Sequence, residues 1–207
     1  MDSPLRKIAR AGFLLAVFLV SAALLAYTWW LYTIEKGNRA LGKGDTEAAE
    51  EIYRVAEAPF RKVPWLASIF RDEFQKLLFN QVGLLYAQGR NDEVMERLGE
   101  GARRAPFLSE VGEYHFWAGN VLLRQAIRMK NPETMMKTLK EARAAYRKGL
   151  EVQPDDWDLK YNYELIQSVF AQTGSGKEKE EKVKSILEKM RPAKPPTREE
   201  LPPEKRG

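Results

Sequence analysis

Hydrophobic and polar positions follow two different patterns along this chain. Residues 11–34 are 24 positions without a charge, and Leu14, Leu15, Val17, Phe18, Leu19 and Val20 leave a helix no polar face. From residue 35 to 173 the apolar positions recur with helical period among charged ones. No strand-like alternation and no Asn-Gly or Asp-Gly hairpin signal interrupts them. The pattern predicts an all-α chain in which a transmembrane helix continues into a short array of helical hairpins. The expected parts are an N-terminal tail (1–10), a membrane helix (11–34), a helical domain (35–173) and a charged, Pro-rich, largely disordered tail (174–207).

A 24-residue helix reaches roughly 36 Å at about 1.5 Å per residue, enough to cross a hydrocarbon core of about 30 Å. Tyr27, Trp29, Trp30 and Tyr32 cluster at its far end, where amphipathic rings favour the headgroup layer, and they are the expected membrane-interface residues. Cleavage after a small-residue site at Ser21-Ala22-Ala23 is the competing reading. It would leave residues 24–32 as an exposed apolar N-terminus, so an uncleaved signal anchor is preferred. Arg6, Lys7 and Arg10 precede the span and Lys36, Arg39 and Lys43 follow it, so charge near the membrane is balanced. A short positive tail before a long domain favours an N-in anchor with residues 35–207 outside the cytoplasm.

The body is punctuated at Gly44-Asp45, Gly89-Arg90-Asn91-Asp92, Ala105-Pro106, Asn131-Pro132-Glu133 and Pro154-Asp155-Asp156. Each site joins a helix-ending residue to a good helix starter. Asn131 can cap a helix whose first position is Pro132, and Asp155 or Asp156 can cap the next. The helices between should run for roughly 14–22 residues, as helical-hairpin repeats require. Residues 157–170 read as a terminal solvating helix.

Spacing adds specificity. Gly44-Asp45, Ala49, Tyr53 and Ala56 stand at the offsets of the second half of a tetratricopeptide repeat. Gly89, Val94, Leu98, Gly101 and Pro106 repeat the scheme with Leu98 in the aromatic slot. Ala142, Tyr146, Gly149 and Pro154 repeat it again, and Ala118-Gly119-Asn120 looks like the Leu-Gly-Asn of a first repeat helix. The units are degenerate: Gly83 lies six residues before Gly89 instead of seven, and the third turn is displaced to Asn131-Pro132. The array resembles tetratricopeptide proteins over about 140 residues, and its first leading helix, at about residues 30–43, would be continuous with the membrane span.

A narrower resemblance rests on Pro154-Asp155-Asp156, Leu159-Lys160-Tyr161-Asn162 and Glu164-Leu165. Together with the single anchor and the length, these residues resemble the MxaK-type and Bat-type accessory proteins of MoxR ATPase and von Willebrand A gene clusters. The resemblance implies a bacterial inner-membrane protein with a periplasmic domain. It also implies a role in maturing a partner enzyme or complex, with cluster proteins or their client as partners. By analogy with peptide-binding arrays, Phe116, Asn120 and Arg124, at i, i+4 and i+8, with Asn162 on the next helix, are the expected lining of a partner groove. A general envelope chaperone with many clients, and a membrane-associated enzyme with an unrecognised site, are the alternatives.

Composition narrows the chemistry. The chain has 207 residues, 34 basic and 29 acidic, for a net charge of +5. Residues 1–10 hold +2 of it, residues 177–207 hold ten basic and seven acidic side chains, and 11–176 is balanced at 21 of each. No basic domain for nucleic acid follows. There is no cysteine and one histidine, His115, so thiol catalysis and multi-histidine metal sites are excluded. No nucleophile–base pair assembles around His115, which reads as a structural or groove-lining residue. Gly174-Ser175-Gly176-Lys177 fails as a phosphate loop, because Ala171 and Glu178 stand where Gly and Ser or Thr are needed. Asp155, Asp156 and Asp158 fail as a calcium loop, because Tyr161 takes the glycine position. The expectation is a non-enzymatic protein with no cofactor and no metal. In the tail, residues 177–190 are expected as a charged helix, and the segment could serve as a docking peptide.

Overall fold

The computed structural model describes residues 4–171, and the expectations for the tail at 174–207 lie outside the described residues. Among the described residues every regular element is helical. Eight α-helices run α1 Pro4–Gly42, α2 Thr46–Lys62, α3 Leu66–Ile69, α4 Arg71–Ala87, α5 Asn91–Arg104, α6 Gly112–Arg128, α7 Pro132–Val152 and α8 Trp157–Ala171. A 3-10 turn, Pro106–Glu110, lies between α5 and α6.

The apolar span and the expected leading helix are one element. α1 is 39 residues long, about 58 Å at the α-helical rise. It is the one helix among the described residues long and apolar enough to cross a membrane, and none of its most apolar window is buried by protein. Phe13, Leu14, Phe18, Leu24 and Leu25 all face outward.

The breaks form where the sequence places them. Gly44 and Gly89 have φ of +80° and +77°, a region that glycine enters without the Cβ penalty. Asp45 Oδ1 accepts from the Ala48 backbone N–H at 3.1 Å. Asn131 Oδ1 accepts from the N–H groups of Glu133 and Thr134 at 2.8 and 3.2 Å, with Pro132 in the first turn. Of the two possible caps for α8, Asp156 is the one used: its Oδ1 accepts from Leu159 N–H at 2.9 Å. Asp155 instead faces Lys160 Nζ at 3.6 Å. One break was not anticipated. α2 ends after Lys62, and the single turn of α3 follows Val63-Pro64-Trp65.

The chain divides into two compact units, residues 1–58 and the residues from Pro59 onward. The division falls inside α2, which folds back along the C-terminal half of α1. It coincides with Pro59, which has no N–H for the Val55 carbonyl.

In the first unit α1 and α2 form an antiparallel hairpin. Ala49, Tyr53 and Ala56 are buried. A Cβ added at Gly37 would lie 2.6 Å from Tyr53 Cε1, so the absent side chain is what admits the ring. The Tyr53 hydroxyl donates to Asn38 Oδ1 at 2.7 Å, and Trp30 Nε1 donates to the Ala56 carbonyl at 2.7 Å. Burial, aided by the Glu35 charge, pushes the Tyr53 phenol up to about 12. An unfolded tyrosine ionises near 10. This contribution to stability is therefore complete below about pH 10 and is lost as pH rises toward 12. Tyr53→Phe should lose less stability than the parent between pH 9 and pH 12 in denaturant titrations. An equal loss would show that the ring is solvated.

In the second unit α6, α7 and α8 enclose a core of Leu123, Ala126, Met135, Leu139, Ala142, Tyr146, Leu159, Ile166 and Val169. α4 and α5 pack through Leu78 and Gly101, where a Cβ on the glycine would come within 2.7 Å of Leu78 Cδ2. Phe60 meets Phe74 edge-on at 5.0 Å. Val94, Leu98, Ala142 and Tyr146, assigned to repeat positions, are all buried.

Candidate functional site

The expected groove centred on α6, and two of its four residues are in the interior. Asn120 and Asn162 are each 1% exposed. Asn120 Oδ1 accepts from the Tyr146 hydroxyl at 2.7 Å and from Asn162 Nδ2 at 3.1 Å. The physical reason is Gly119. A Cβ there would sit 2.5 Å from Tyr146 Cε1, so α7 approaches α6 closely, and the Tyr146 hydroxyl lands on the neighbouring Asn120. With α8 closing the other side, these amides join three helices and do not face a partner. Burial drives the Tyr146 phenol far above its ordinary value.

Arg124 is half-buried and also structural. Its Nη1 donates to the Tyr86 carbonyl at 2.5 Å, and its guanidinium carbon lies 3.4 Å from the centroid of the Tyr86 ring. Tyr86 is in the last turn of α4, where carbonyls lack helical donors and a cation is favourable. Burial raises the Tyr86 phenol, and the Arg124 charge opposes that rise. Phe116 is half-buried, its ring 5.7 Å from Trp117, which in turn packs edge-on to Tyr86 at 5.4 Å. His115 is half-buried; its Nε2 is 2.8 Å from the Ser109 carbonyl and ties α6 to the 3-10 turn. Burial lowers its pKa, against the opposing pull of that carbonyl. Among the described residues no three His, Cys, Asp or Glu side chains gather to hold a metal ion.

The last turn of α6 opens onto a different feature. Gln125, Arg128 and Met129 face the turn and first residues of α5 across a cleft of about 380 Å³, completed by Gly89, Arg90, Asn91, Asp92 and Glu93. Arg90 is committed to Glu93, with Nε to Oε1 at 2.6 Å, and to Gln88 Oε1 at 2.8 Å. Its hydrogen bond holds the Glu93 carboxyl below the ordinary value. Gln125 Nε2 reaches Asp92 Oδ1 only at 3.5 Å. Asn91 is 7% exposed, and its Oδ1 accepts no hydrogen bond. The sequence reading took Gly89-Arg90-Asn91-Asp92 as a turn only. The available signal was the step of one residue from Arg124 to Gln125, and of four to Arg128, along the same helix.

The four interface aromatics divide. Trp29 and Tyr32 are exposed on the outer face of α1. Trp30 is half-buried and committed through Nε1 to Ala56, and Tyr27 stacks on it at 6.1 Å. Trp30 is thus a hairpin residue, and Trp29 and Tyr32 are the pair presented outward.

Comparison with protein-family models, with curated proteins and with solved structures finds no match to this chain.

Proposed function

We propose that this chain is a single-pass, membrane-anchored interaction protein whose helical body is a degenerate tetratricopeptide-like array. The observation that carries the reading is a pair of equivalent hairpin contacts. Gly37-Asn38 meets Tyr53, and Gly119-Asn120 meets Tyr146, with the glycine under the ring and the asparagine Oδ1 on the hydroxyl in both cases. One local solution used in two hairpins supports repetition of a helix–turn–helix unit. The first of these hairpins is built on the apolar helix itself, so the array begins at the anchor.

In this reading residues 35–207 lie outside the cytoplasm and assist the maturation or assembly of an enzyme or envelope complex, as the resemblance to MxaK-type and Bat-type proteins implies. Partner contact is assigned to the cleft between α5 and α6, since Asn120 and Asn162 are enclosed. A photo-crosslinker at Arg128 in the full-length protein, activated in host membranes, tests the reading. One dominant adduct is expected, lost with Gln125→Ala and Asp92→Ala together. A ladder of many adducts would favour the general chaperone alternative, and no adduct would remove the cleft from consideration. Alkaline phosphatase fused after Gly207 should be active; an inactive fusion beside an active cytoplasmic reporter would reverse the orientation.

A further inference from the structure

The unanticipated break after α2 exposes chemistry that neither the core nor the cleft uses. Trp65, which precedes the single turn of α3, and Ile69 at its end are 61% and 62% exposed, while Ala67 between them is fully buried. α3 is thus held from one side and presents two large apolar side chains on the other. Ser68 N–H to Trp65 O at 3.0 Å and Phe70 N–H to Leu66 O at 2.8 Å fix the turn. The N-terminal flank is basic, and on the C-terminal side Arg71 is followed by Asp72 and Glu73. Residues 61–71 contain Arg61, Lys62 and Arg71 and no acidic residue. Arg61, Lys62 and Arg71 are exposed, with Arg71 stacked over Phe107 at 4.2 Å.

We infer that the segment 61–71 is a second membrane contact, which seats Trp65 and Ile69 in the headgroup layer of the bilayer crossed by α1 and sets Arg61 and Lys62 against anionic lipid. Three observations select a lipid surface over a protein partner. Tryptophan with an aliphatic residue, preceded by the exposed basic pair Arg61-Lys62, has the composition of an interfacial anchor. Arg61 and Lys62 are both exposed, and basic side chains at that position are attracted to an anionic surface. Chain length also restricts the segment. Ala56 is bonded to Trp30, at the end of the apolar span, and nine residues separate Ala56 from Trp65. Six of these are helical, to Lys62. About 9 Å of helix and about 10 Å of extended chain are therefore the most that can separate Trp65 from that level. The inference rests on the reading of α1 as a membrane anchor.

The chain has no cysteine, so single probes can be placed in the full-length protein without background. Leu19→Cys, Ser68→Cys and Val152→Cys would each carry an environment-sensitive fluorophore, in vesicles of phosphatidylcholine with phosphatidylglycerol. Headgroup-labelled nitroxide lipid serves as quencher. Position 68 should shift to the blue and be quenched several-fold more than position 152, and position 19 should report the bilayer interior. Adding Trp65→Ala and Ile69→Ala should return position 68 to the aqueous signal. Arg61→Glu with Lys62→Glu should abolish its dependence on phosphatidylglycerol. If position 19 is in the bilayer and position 68 behaves like 152, the second contact is wrong and the anchor stands. If position 19 is aqueous, the anchor reading falls with it. A blue shift at 68 that nitroxide lipid does not quench would show a protein surface there, such as a second copy, and would overturn the inference.

Discussion

Gly119→Ala should destabilise the protein by about 1–2 kcal/mol, although it places a better helix former inside a helix. Alanine in an exposed helix interior is worth about 1 kcal/mol over glycine. Here the new methyl would stand 2.5, 2.7 and 2.8 Å from three carbons of the Tyr146 ring. That ring is fully buried and its hydroxyl is fixed on Asn120, so it cannot move aside without giving up the bond. Overpacking of this kind costs about 1–3 kcal/mol and occasionally more, which exceeds the propensity gain. Denaturant unfolding of the full chain in detergent or nanodiscs measures the difference. In a Tyr146→Ala background the same substitution should cost nothing, because its collision partner is gone. Gly83 is the internal control. A Cβ there meets Trp117 only at 3.4 Å, an ordinary contact, so Gly83→Ala should be neutral or stabilising. Equal losses at 83 and 119 would mean that the α6–α7 approach is looser than described.

The same comparison shows how much of the molecule was readable in advance. Four of the breaks were legible because Gly44, Gly89, Asn131-Pro132 and Asp156 act locally, each through its own backbone or a hydrogen bond two or three residues away. Ala49, Tyr53, Leu98 and Tyr146 were legible as inward-facing because helical spacing alone decides which face a side chain occupies. The Gly37-Asn38 pair was equally visible and went unread, since its partner Tyr53 lies on another helix and only Gly119-Asn120 was taken as a repeat element. The break at Pro64 was missed because helical period continues on both sides of it. The site was less legible than the fold for one reason. Asn120, Arg124 and Phe116 do share a face of α6, but sequence spacing does not say whether another helix covers that face. It is covered: α7 and α8 supply Tyr146 and Asn162 to Asn120, and α4 supplies Tyr86 to Arg124.

Asn120→Ala separates those two roles more sharply than any other substitution, and it should cost about 2–4 kcal/mol of stability. A groove asparagine would leave stability unchanged and lose only partner capture. The enclosed asparagine accepts two hydrogen bonds through one oxygen, from Tyr146 and from Asn162 Nδ2. Its removal leaves both donors buried, at about 1–3 kcal/mol each. Part of this is offset, because Asn120 Nδ2 is itself buried without a partner and disappears with the side chain. Tyr146→Phe is the calibrating variant. It deletes one donor while Asn120 keeps Asn162, so it should cost only about 0.5–1.5 kcal/mol. Arg124→Ala should fall between them, since it removes a charge-assisted hydrogen bond and a cation from a ring face, while the Tyr86 carbonyl keeps the Gly89 N–H at 3.0 Å. The order Asn120→Ala, Arg124→Ala, Tyr146→Phe, from largest loss to smallest, follows from the buried groups each change leaves alone and the charged contacts it removes. If Asn120→Ala unfolds like the parent and the crosslinked adduct at Arg128 vanishes, the three-helix polar contact is wrong and the groove returns to α6.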